Sequence, residues 1–155
     1  MEERERWLVT EPVEGDVESW LALVAEVEPL FGPMPDFETI LRRNMNRHTA
    51  LCVRDADLAV AGAMLLRGSP HAEIAWLAVR QSARGRGIGS ALLAVALERY
   101  SGAPEVLVET FGEDNVAGRP ARRLYEAFGF TAAESAPAGP EGGSRQIFRR
   151  RAQPA

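Results

Sequence analysis

A glycine-rich loop between an apolar run and a helical run most constrains how this chain can fold. Residues 74–79 are apolar and typical of a strand, residues 84–89 read Arg-Gly-Arg-Gly-Ile-Gly, and residues 90–100 have helical spacing. The glycines allow a tight turn and a close approach of the backbone to a ligand. The first amide groups of the helix have no intrahelical acceptor, and the helix dipole favours negative charge there. The segment therefore predicts an anion site, and pyrophosphate is a natural ligand for it.

Two common phosphate-binding loops do not fit this spacing. A Walker loop ends in Gly-Lys-Ser/Thr, and this chain contains no lysine. The dinucleotide fingerprint Gly-x-Gly-x-x-Gly fails from both Gly85 and Gly87, because the final position holds serine or leucine. The positions of Arg84, Gly87 and Gly89 fit the different pattern Arg/Gln-x-x-Gly-x-Gly/Ala.

Length and composition limit the class of protein. A chain of 155 residues predicts one domain, residues 1–155, with a substantial core. A net charge of -4 argues against a nucleic-acid partner. No apolar stretch reaches membrane-spanning length and the first residues do not read as a signal peptide, so we expect a cytoplasmic protein with no membrane partner. With Cys52 as the single cysteine and only two histidines, we expect no metal site. The basic residues are all arginine, which suggests a bacterial source.

The pattern along the chain predicts a mixed α/β domain. Period-two or short apolar runs predict strands at residues 7–10, 50–53, 58–66, 71–79, 105–111, 130–133 and 146–150. Helical spacing predicts four helices: one after a cap at Asp16, one after a cap at Asp36, one following the glycine loop, and one from Pro120 to Gly129. The Pro/Gly-rich residues 136–143 predict a mobile loop.

Two motifs carry a resemblance to a known family. Leu77-Ala78-Val79 followed by the loop at 84–89 resembles motif A of the GNAT superfamily, the Gcn5-related N-acetyltransferases. Residues 124–130, Leu-Tyr-Glu-Ala-Phe-Gly-Phe, resemble the Leu-Tyr-Glu-x-x-Gly-Phe signature of that family. The order of predicted elements is also similar, so the resemblance covers nearly the whole chain. It implies a single domain with a central, mostly antiparallel, splayed sheet flanked by helices.

The resemblance also implies acetyl-CoA as the acyl-donor co-substrate, an amine acceptor and no metal. The implied coenzyme ligands lie on the motif A strand and loop: Leu77, Ala78, Val79, Arg84, Gly85, Arg86, Gly87, Ile88, Gly89 and Ser90. The family often has asparagine seven residues before the signature tyrosine, but here Gly118 occupies that position. Asn115 is the candidate to replace it, and an ordinary loop asparagine is the equal alternative.

Catalysis by direct attack of an amine on a thioester needs a proton acceptor and a proton donor. Tyr125 maps onto the family's general acid, which gives a proton to the leaving thiolate; a core tyrosine is the alternative. Two carboxylates are candidate bases, Glu73 on the motif A strand and Glu109 on the next strand. Each could instead be a surface carboxylate, and we favour Glu109.

The resemblance therefore predicts an acetyl-CoA-dependent N-acetyltransferase for a primary amine. Two alternatives remain: an acyl-CoA sensor without catalytic activity on the same fold, and a transferase of a longer acyl group. The identity of the acceptor stays open, and residues 31–37 either shape an apolar acceptor pocket or only connect two helices. Dimers are common in the family, which makes a homodimer one expected arrangement.

Overall fold

The structure, a computed structural model, describes residues 7–152, in which seven strands form one sheet. The strands are β1 (Val9–Thr10), β2 (Ala50–Arg54), β3 (Val60–Arg67), β4 (Ala72–Val79), β5 (Glu105–Phe111), β6 (Thr131–Ala136) and β7 (Arg145–Arg151). The helices are α1 (Val17–Phe31), α2 (Phe37–Asn46), α3 (Ile88–Arg99) and α4 (Arg119–Ala127). Short 3-10 turns cover Glu14–Asp16, Gln81–Ala83 and Val116–Gly118.

The sheet has one parallel junction in an otherwise antiparallel order. The strand order is β1-β2-β3-β4-β5-β7-β6, and only β4 and β5 run parallel. These two strands pair through Ala72–Val106, Glu73–Leu107 and Ile74–Val108, and beyond these pairs they separate. The predicted mixed α/β class and the mostly antiparallel, splayed sheet are confirmed. The splay leaves the end of β4 and the end of β5 facing an open gap.

Two apolar cores lie on opposite faces of this sheet because successive strand residues point to opposite sides. Leu51 and Val53 of β2 enter the core beneath α3 and α4, whereas Ala50 and Cys52 enter the core beneath α1 and α2. A Cβ on Gly62 would come closer than 3.0 Å to Ile88, so glycine allows α3 to lie directly on β3. None of the helices within residues 7–152 is long and apolar enough to cross a membrane.

Three predicted strands differ from the structure by two or more residues at one end, and the first of them, predicted at 7–10, covers only Val9–Thr10. The predicted strand at residues 58–66 begins instead at Val60, because Leu58 has a φ of 65° in a turn. The Asp55 carboxylate accepts hydrogen bonds from the amides of Asp57 and Ala59, which closes that turn. The strand predicted at 130–133 begins at Thr131 and extends to Ala136, since its polar residues pair with β7 at the exposed edge of the sheet.

Asp16 occupies the N-cap position of α1, as predicted, but its side chain does not cap the helix. Its carboxylate makes no hydrogen bond into α1, and instead accepts one from the amide of Val13 at 2.8 Å. The same carboxylate binds two guanidinium nitrogens of Arg54 on β2, at 2.8 and 2.6 Å. Hydrogen bonding to Arg54 lowers the pKa of Asp16 despite its burial. Asp36 does precede α2, but its side chain makes no capping bond either.

Candidate functional site

A cleft of about 350 Å³ lies where the glycine loop, the end of β4 and the start of α4 meet. We call it the loop cleft. Its lining includes most of the residues predicted from motif A: Leu77, Ala78, Val79, Arg84, Gly85, Gly87, Ile88, Gly89 and Ser90. Val27, Leu30 and Phe31 of α1 form a further wall. Arg86, the remaining motif A residue, is not part of this lining.

The glycine loop lines the loop cleft with residues whose backbone amides are unpaired. Gly85 and Gly87 have φ values of 76° and 88°, a region that side chains disfavour. The first bond of α3 runs from the amide of Ala91 to the carbonyl of Gly87 at 3.0 Å. The amides of residues 87–90 therefore have no acceptor among residues 7–152. Unpaired amides at the positive end of a helix dipole form an anion site, and they fit the diphosphate of a coenzyme.

Side chains from elsewhere in the chain hold this loop in place. The indole Nε1 of Trp7 donates to the carbonyl of Arg86 at 2.7 Å, and the Arg86 guanidinium lies 5.3 Å from the Trp7 ring centre. The Nε of Arg84 donates to the carbonyl of Val79 at 3.1 Å. The Glu26 carboxylate accepts from the amide of Gln81 at 2.8 Å. Sequence reasoning missed Trp7 and Glu26, because nothing local links α1 or the first strand to this loop.

A second cleft of about 330 Å³ opens beside the gap between β4 and β5, next to the last residue of α1. We call it the acceptor-side cleft. Its walls are mainly apolar: Phe31, Met34, Ile74, Ala75, Trp76, Leu77, Val108, Phe111, Ala121, Pro137, Ala138 and Pro140. Five residues line both clefts: Phe31, Leu77, Phe111, Ala121 and Tyr125. The two clefts thus meet through the splay of the sheet.

Tyr125 lies at this meeting point. It is on α4, which starts with Pro120 in its first turn and is closed by Gly129 with a φ of 89°. The ring packs edge-on against Phe130 and Phe148, with centroid distances of 5.6 and 6.5 Å. Burial raises the pKa of Tyr125, so the phenol keeps its proton at neutral pH. No hydrogen bond within residues 7–152 occupies its hydroxyl.

The two candidate bases lie in different surroundings. Glu109 directly follows the part of β5 that pairs with β4, is exposed and lines the acceptor-side cleft. Glu73 lies within the part of β4 that pairs with β5, and it lines neither cleft. Its carboxylate accepts a hydrogen bond from Nη1 of Arg67 at 2.7 Å. The structure therefore brings Glu109 and Tyr125 to one cleft and leaves Glu73 outside it.

Asn115 lines neither cleft and directly precedes the turn Val116–Gly118. The glycine at 118 has a packing reason. A Cβ there would come closer than 3.0 Å to the Cβ and ring of Phe111. The asparagine that the resemblance leads one to expect at this position would collide with a residue that lines both clefts.

Arg145 is a site residue that sequence reasoning missed. It lines the acceptor-side cleft, is 8 % exposed, and places its guanidinium 4.7 Å from the Phe111 ring centre. Its two terminal nitrogens bind the Glu141 carboxylate at 3.2 and 2.5 Å. A basic residue at the start of a predicted strand carries no signal that it will be buried in a cleft.

The arrangement can hold a phosphate-bearing coenzyme on one side and a second substrate on the other. The end of β4 beyond Ile74 is free of β5, so its backbone can pair with an amide-containing chain. Tyr125 can donate a proton at the junction, and Glu109 can accept one in the acceptor-side cleft. Among residues 7–152, no group of three or more histidine, cysteine or acidic side chains lies together as a candidate metal site.

Comparison with known proteins adds a family assignment to this geometry. The model of the acetyltransferase (GNAT) domain matches residues 46–132, more than half of the chain. A search of curated protein sequences finds no match.

Solved structures share the fold at low sequence identity. A chain in the NatC complex bound to Gag peptide and CoA is 19% identical with a TM-score of 0.80, over 96% of this chain and 100% of that one. Ard1 from Thermoplasma volcanium is 19% identical with a TM-score of 0.76, over 96% and 99%. A GNAT-family acetyltransferase from Bacillus cereus is 17% identical with a TM-score of 0.72, over 97% and 100%.

Proposed function

Because this chain belongs to the acetyltransferase (GNAT) domain family, we propose that it transfers an acetyl group from acetyl-CoA to the nitrogen of a primary amine. The amine attacks the thioester directly, with no covalent enzyme intermediate. The observation that carries the proposal is the meeting of the loop cleft and the acceptor-side cleft at Tyr125. A donor held in one cleft and an acceptor held in the other would react at that junction.

The residues of the loop cleft fit acetyl-CoA. The unpaired amides of residues 87–90 would bind its diphosphate, and the free backbone of residues 77–79 would pair with its pantetheine arm. The coenzyme supplies an acyl group activated as a thioester. A contact of Arg86 or Asn115 with the coenzyme stays a prediction, since neither residue lines the loop cleft.

Glu109 and Tyr125 would carry out the proton transfers of the reaction, Glu109 as the base and Tyr125 as the acid. An amine with a pKa near 10 arrives protonated, and neutralising it at pH 7 costs about 4 kcal/mol. The Glu109 carboxylate, directly or through water, would accept that proton. The Tyr125 phenol would donate its proton to the departing thiolate as the C–S bond breaks. The second proton, which the nitrogen loses once the C–N bond has formed, would restore the phenol, and the proton on Glu109 would pass to solvent. Glu73 remains the alternative base, but its ion pair with Arg67 and its place outside both clefts favour Glu109.

The test is amine-dependent release of free thiol from acetyl-CoA by wild type and by matched pairs of variants. Tyr125→Phe should lower kcat by about 10²–10⁴-fold, the usual range for general acid–base catalysis. Tyr100→Phe is its control, because the Tyr100 hydroxyl donates to the carbonyl of Arg67 and lines neither cleft. Glu109→Gln should lower kcat to a comparable extent, with Glu73→Gln as control.

The outcomes separate the alternatives. Equal losses of kcat in Tyr125→Phe and Tyr100→Phe would contradict the assignment of Tyr125 as the acid. A larger loss of kcat in Glu73→Gln than in Glu109→Gln would assign the base to Glu73 instead. Tight acetyl-CoA binding without turnover on any amine would instead indicate a sensor. A higher kcat/KM for succinyl-CoA or propionyl-CoA would indicate a longer acyl donor.

A further inference from the structure

The acceptor-side cleft has an aromatic wall. The rings of Phe31 and Phe111 stack with centroids 5.5 Å apart and an interplanar angle of 10°. Trp76 continues the wall at 6.1 Å from Phe31, and Met34 lies in the same lining. Surfaces of this kind bind apolar or aromatic groups by burying apolar surface area and by ring stacking. The cleft is therefore shaped for a substrate with a large apolar body.

Two charged side chains belong to the described lining of this cleft, and they are not equivalent. Glu109 is exposed, and no cation among residues 7–152 pairs with it. Arg145 is buried, bound at both terminal nitrogens by Glu141, and stacked on the Phe111 ring. Nη1 of Arg145 also donates to the carbonyl of Ser144. The uncompensated charge in the cleft is thus the negative charge of Glu109.

The ion pair between Arg145 and Glu141 is held by the surrounding loop. A Cβ on Gly139 would come closer than 3.0 Å to both members of the pair. A Cβ on Gly32, at the end of α1, would lie 2.7 Å from the Cβ of Pro140. The loop is therefore packed against α1 on one side and against Arg145 on the other. This packing keeps Arg145 bound to Glu141 and away from an incoming anion.

We propose that the acceptor is a primary amine with an aromatic or large apolar body and no carboxylate beside the nitrogen, an inference that rests on the function proposed above. The ammonium would be attracted by Glu109, and the apolar body would pack on the half-buried side chains of Phe31, Met34 and Trp76. An α-carboxylate would enter next to Glu109 with no unpaired cation to meet it. Repulsion between the substrate carboxylate and the Glu109 carboxylate would strongly disfavour binding of an amino acid.

Three substrates that share a phenyl ring and a primary amine test the effect of a carboxylate on turnover: 2-phenylethylamine, L-phenylalaninamide and L-phenylalanine. Thiol release from saturating acetyl-CoA gives kcat/KM for each, with methylamine as the small amine. We expect 2-phenylethylamine and L-phenylalaninamide to exceed L-phenylalanine by about 100-fold or more, because only the third carries a charge beside the amine. We expect 2-phenylethylamine to exceed methylamine by at least about 10-fold, because methylamine cannot reach the aromatic wall.

A variant tests the role of the ion pair. Glu141→Gln leaves Arg145 without its carboxylate partner, so kcat/KM for L-phenylalanine should rise by about 10-fold relative to that for 2-phenylethylamine. Glu134→Gln is the matched control, because Glu134 pairs with Arg149 away from the cleft. Acetyl-CoA binding and urea unfolding of each variant show whether it folds.

The outcomes distinguish this inference from the proposed function. Wild-type turnover with L-phenylalanine equal to or faster than with 2-phenylethylamine would overturn the inference alone, as would turnover confined to small or polar amines. Absence of amine-dependent turnover across these compounds, polyamines and lysine peptides would overturn the proposed function and the inference with it. A ratio unchanged in Glu141→Gln would show that Arg145 does not govern rejection of carboxylates.

Discussion

Gly118 should tolerate no side chain, not even the asparagine that the family often carries at this position. Its φ of -87° and ψ of -4° are ordinary for any residue, so backbone strain does not require glycine. Lack of space does require glycine, because a Cβ at position 118 would come closer than 3.0 Å to Phe111. The Phe111 ring stacks on Phe31 at 5.5 Å and lines both clefts. A side chain at 118 must therefore push on the walls of the site.

The size of the effect follows from two opposing terms. Replacing glycine by alanine where the backbone permits it stabilises a protein by about 0.4–1 kcal/mol through the unfolded chain. Forcing atoms into a packed site costs about 1–3 kcal/mol. The conflict lies at the root of the Phe111 side chain, which cannot rotate away, so we expect the steric term to dominate. Gly118→Ala should lose about 1–2 kcal/mol of the free energy of unfolding, and Gly118→Asn at least as much.

Urea unfolding of wild type, Gly118→Ala, Gly118→Asn and Gly15→Ala measures these terms. Gly15 is the control, since nothing lies within 4 Å of a Cβ built there and its φ is not in the left-handed region. Gly15→Ala should be neutral or more stable than wild type. The KM for acetyl-CoA and for the amine should both rise in Gly118→Asn. A Gly118→Asn protein as stable as wild type, with unchanged KM values, would refute the packing argument.

Two further predictions concern the glycine loop and the buried ion pair between Asp16 and Arg54. Gly87→Ala forces a side chain to a φ of 88°, which costs about 1–2 kcal/mol. It should weaken acetyl-CoA binding in calorimetry far more than Gly102→Ala, because a Cβ has space among residues 7–152 at both positions but only Gly87 has a positive φ. Asp16→Asn should lower the free energy of unfolding by about 2 kcal/mol or more at pH 7, because it leaves Arg54 without its carboxylate. The hydrogen bonds from Arg54 lower the folded-state pKa of Asp16, so this stabilisation is complete above the unfolded pKa of about 3.9 and is lost as the pH falls through the folded value. The difference between wild type and Asp16→Asn should therefore shrink below about pH 4, and a difference constant down to pH 3 would contradict the assignment.

The parts of the structure that sequence predicts well are those specified by neighbouring residues. The strand, glycine loop and α3 follow from an apolar run, two left-handed glycines and helical spacing within one short segment. The place of Tyr125 follows equally from a local motif closed by Gly129. Local chemistry also explains one error, since Leu58 reads as a strand residue until the Asp55 turn gives it a positive φ and leaves it 74% exposed.

The parts that sequence could not predict depend on residues far apart in the chain. The sequence predicts only a helix cap at Asp16, because its partner Arg54 lies 38 residues away on β2. Arg145 enters the acceptor-side cleft only because β7 pairs with β5, which brings it opposite Phe111. Glu73 and Glu109 look alike in sequence, and only the point at which β4 and β5 separate distinguishes them. Pairing between distant strands decides each of these cases.

The short parallel junction of the sheet also divides the molecule mechanically. Strands β1–β4 pair only with their neighbours in sequence, as a meander, and β5–β7 form a separate antiparallel group. Helices α1, α2 and α3 pack on the first group and α4 packs on β5. Three backbone pairs join the two groups in the sheet, and side chains such as Phe31 and Phe111 pack across the junction. Because so few backbone pairs span the junction, side-chain packing across it sets the width of the gap, and no ladder inside either half depends on that width.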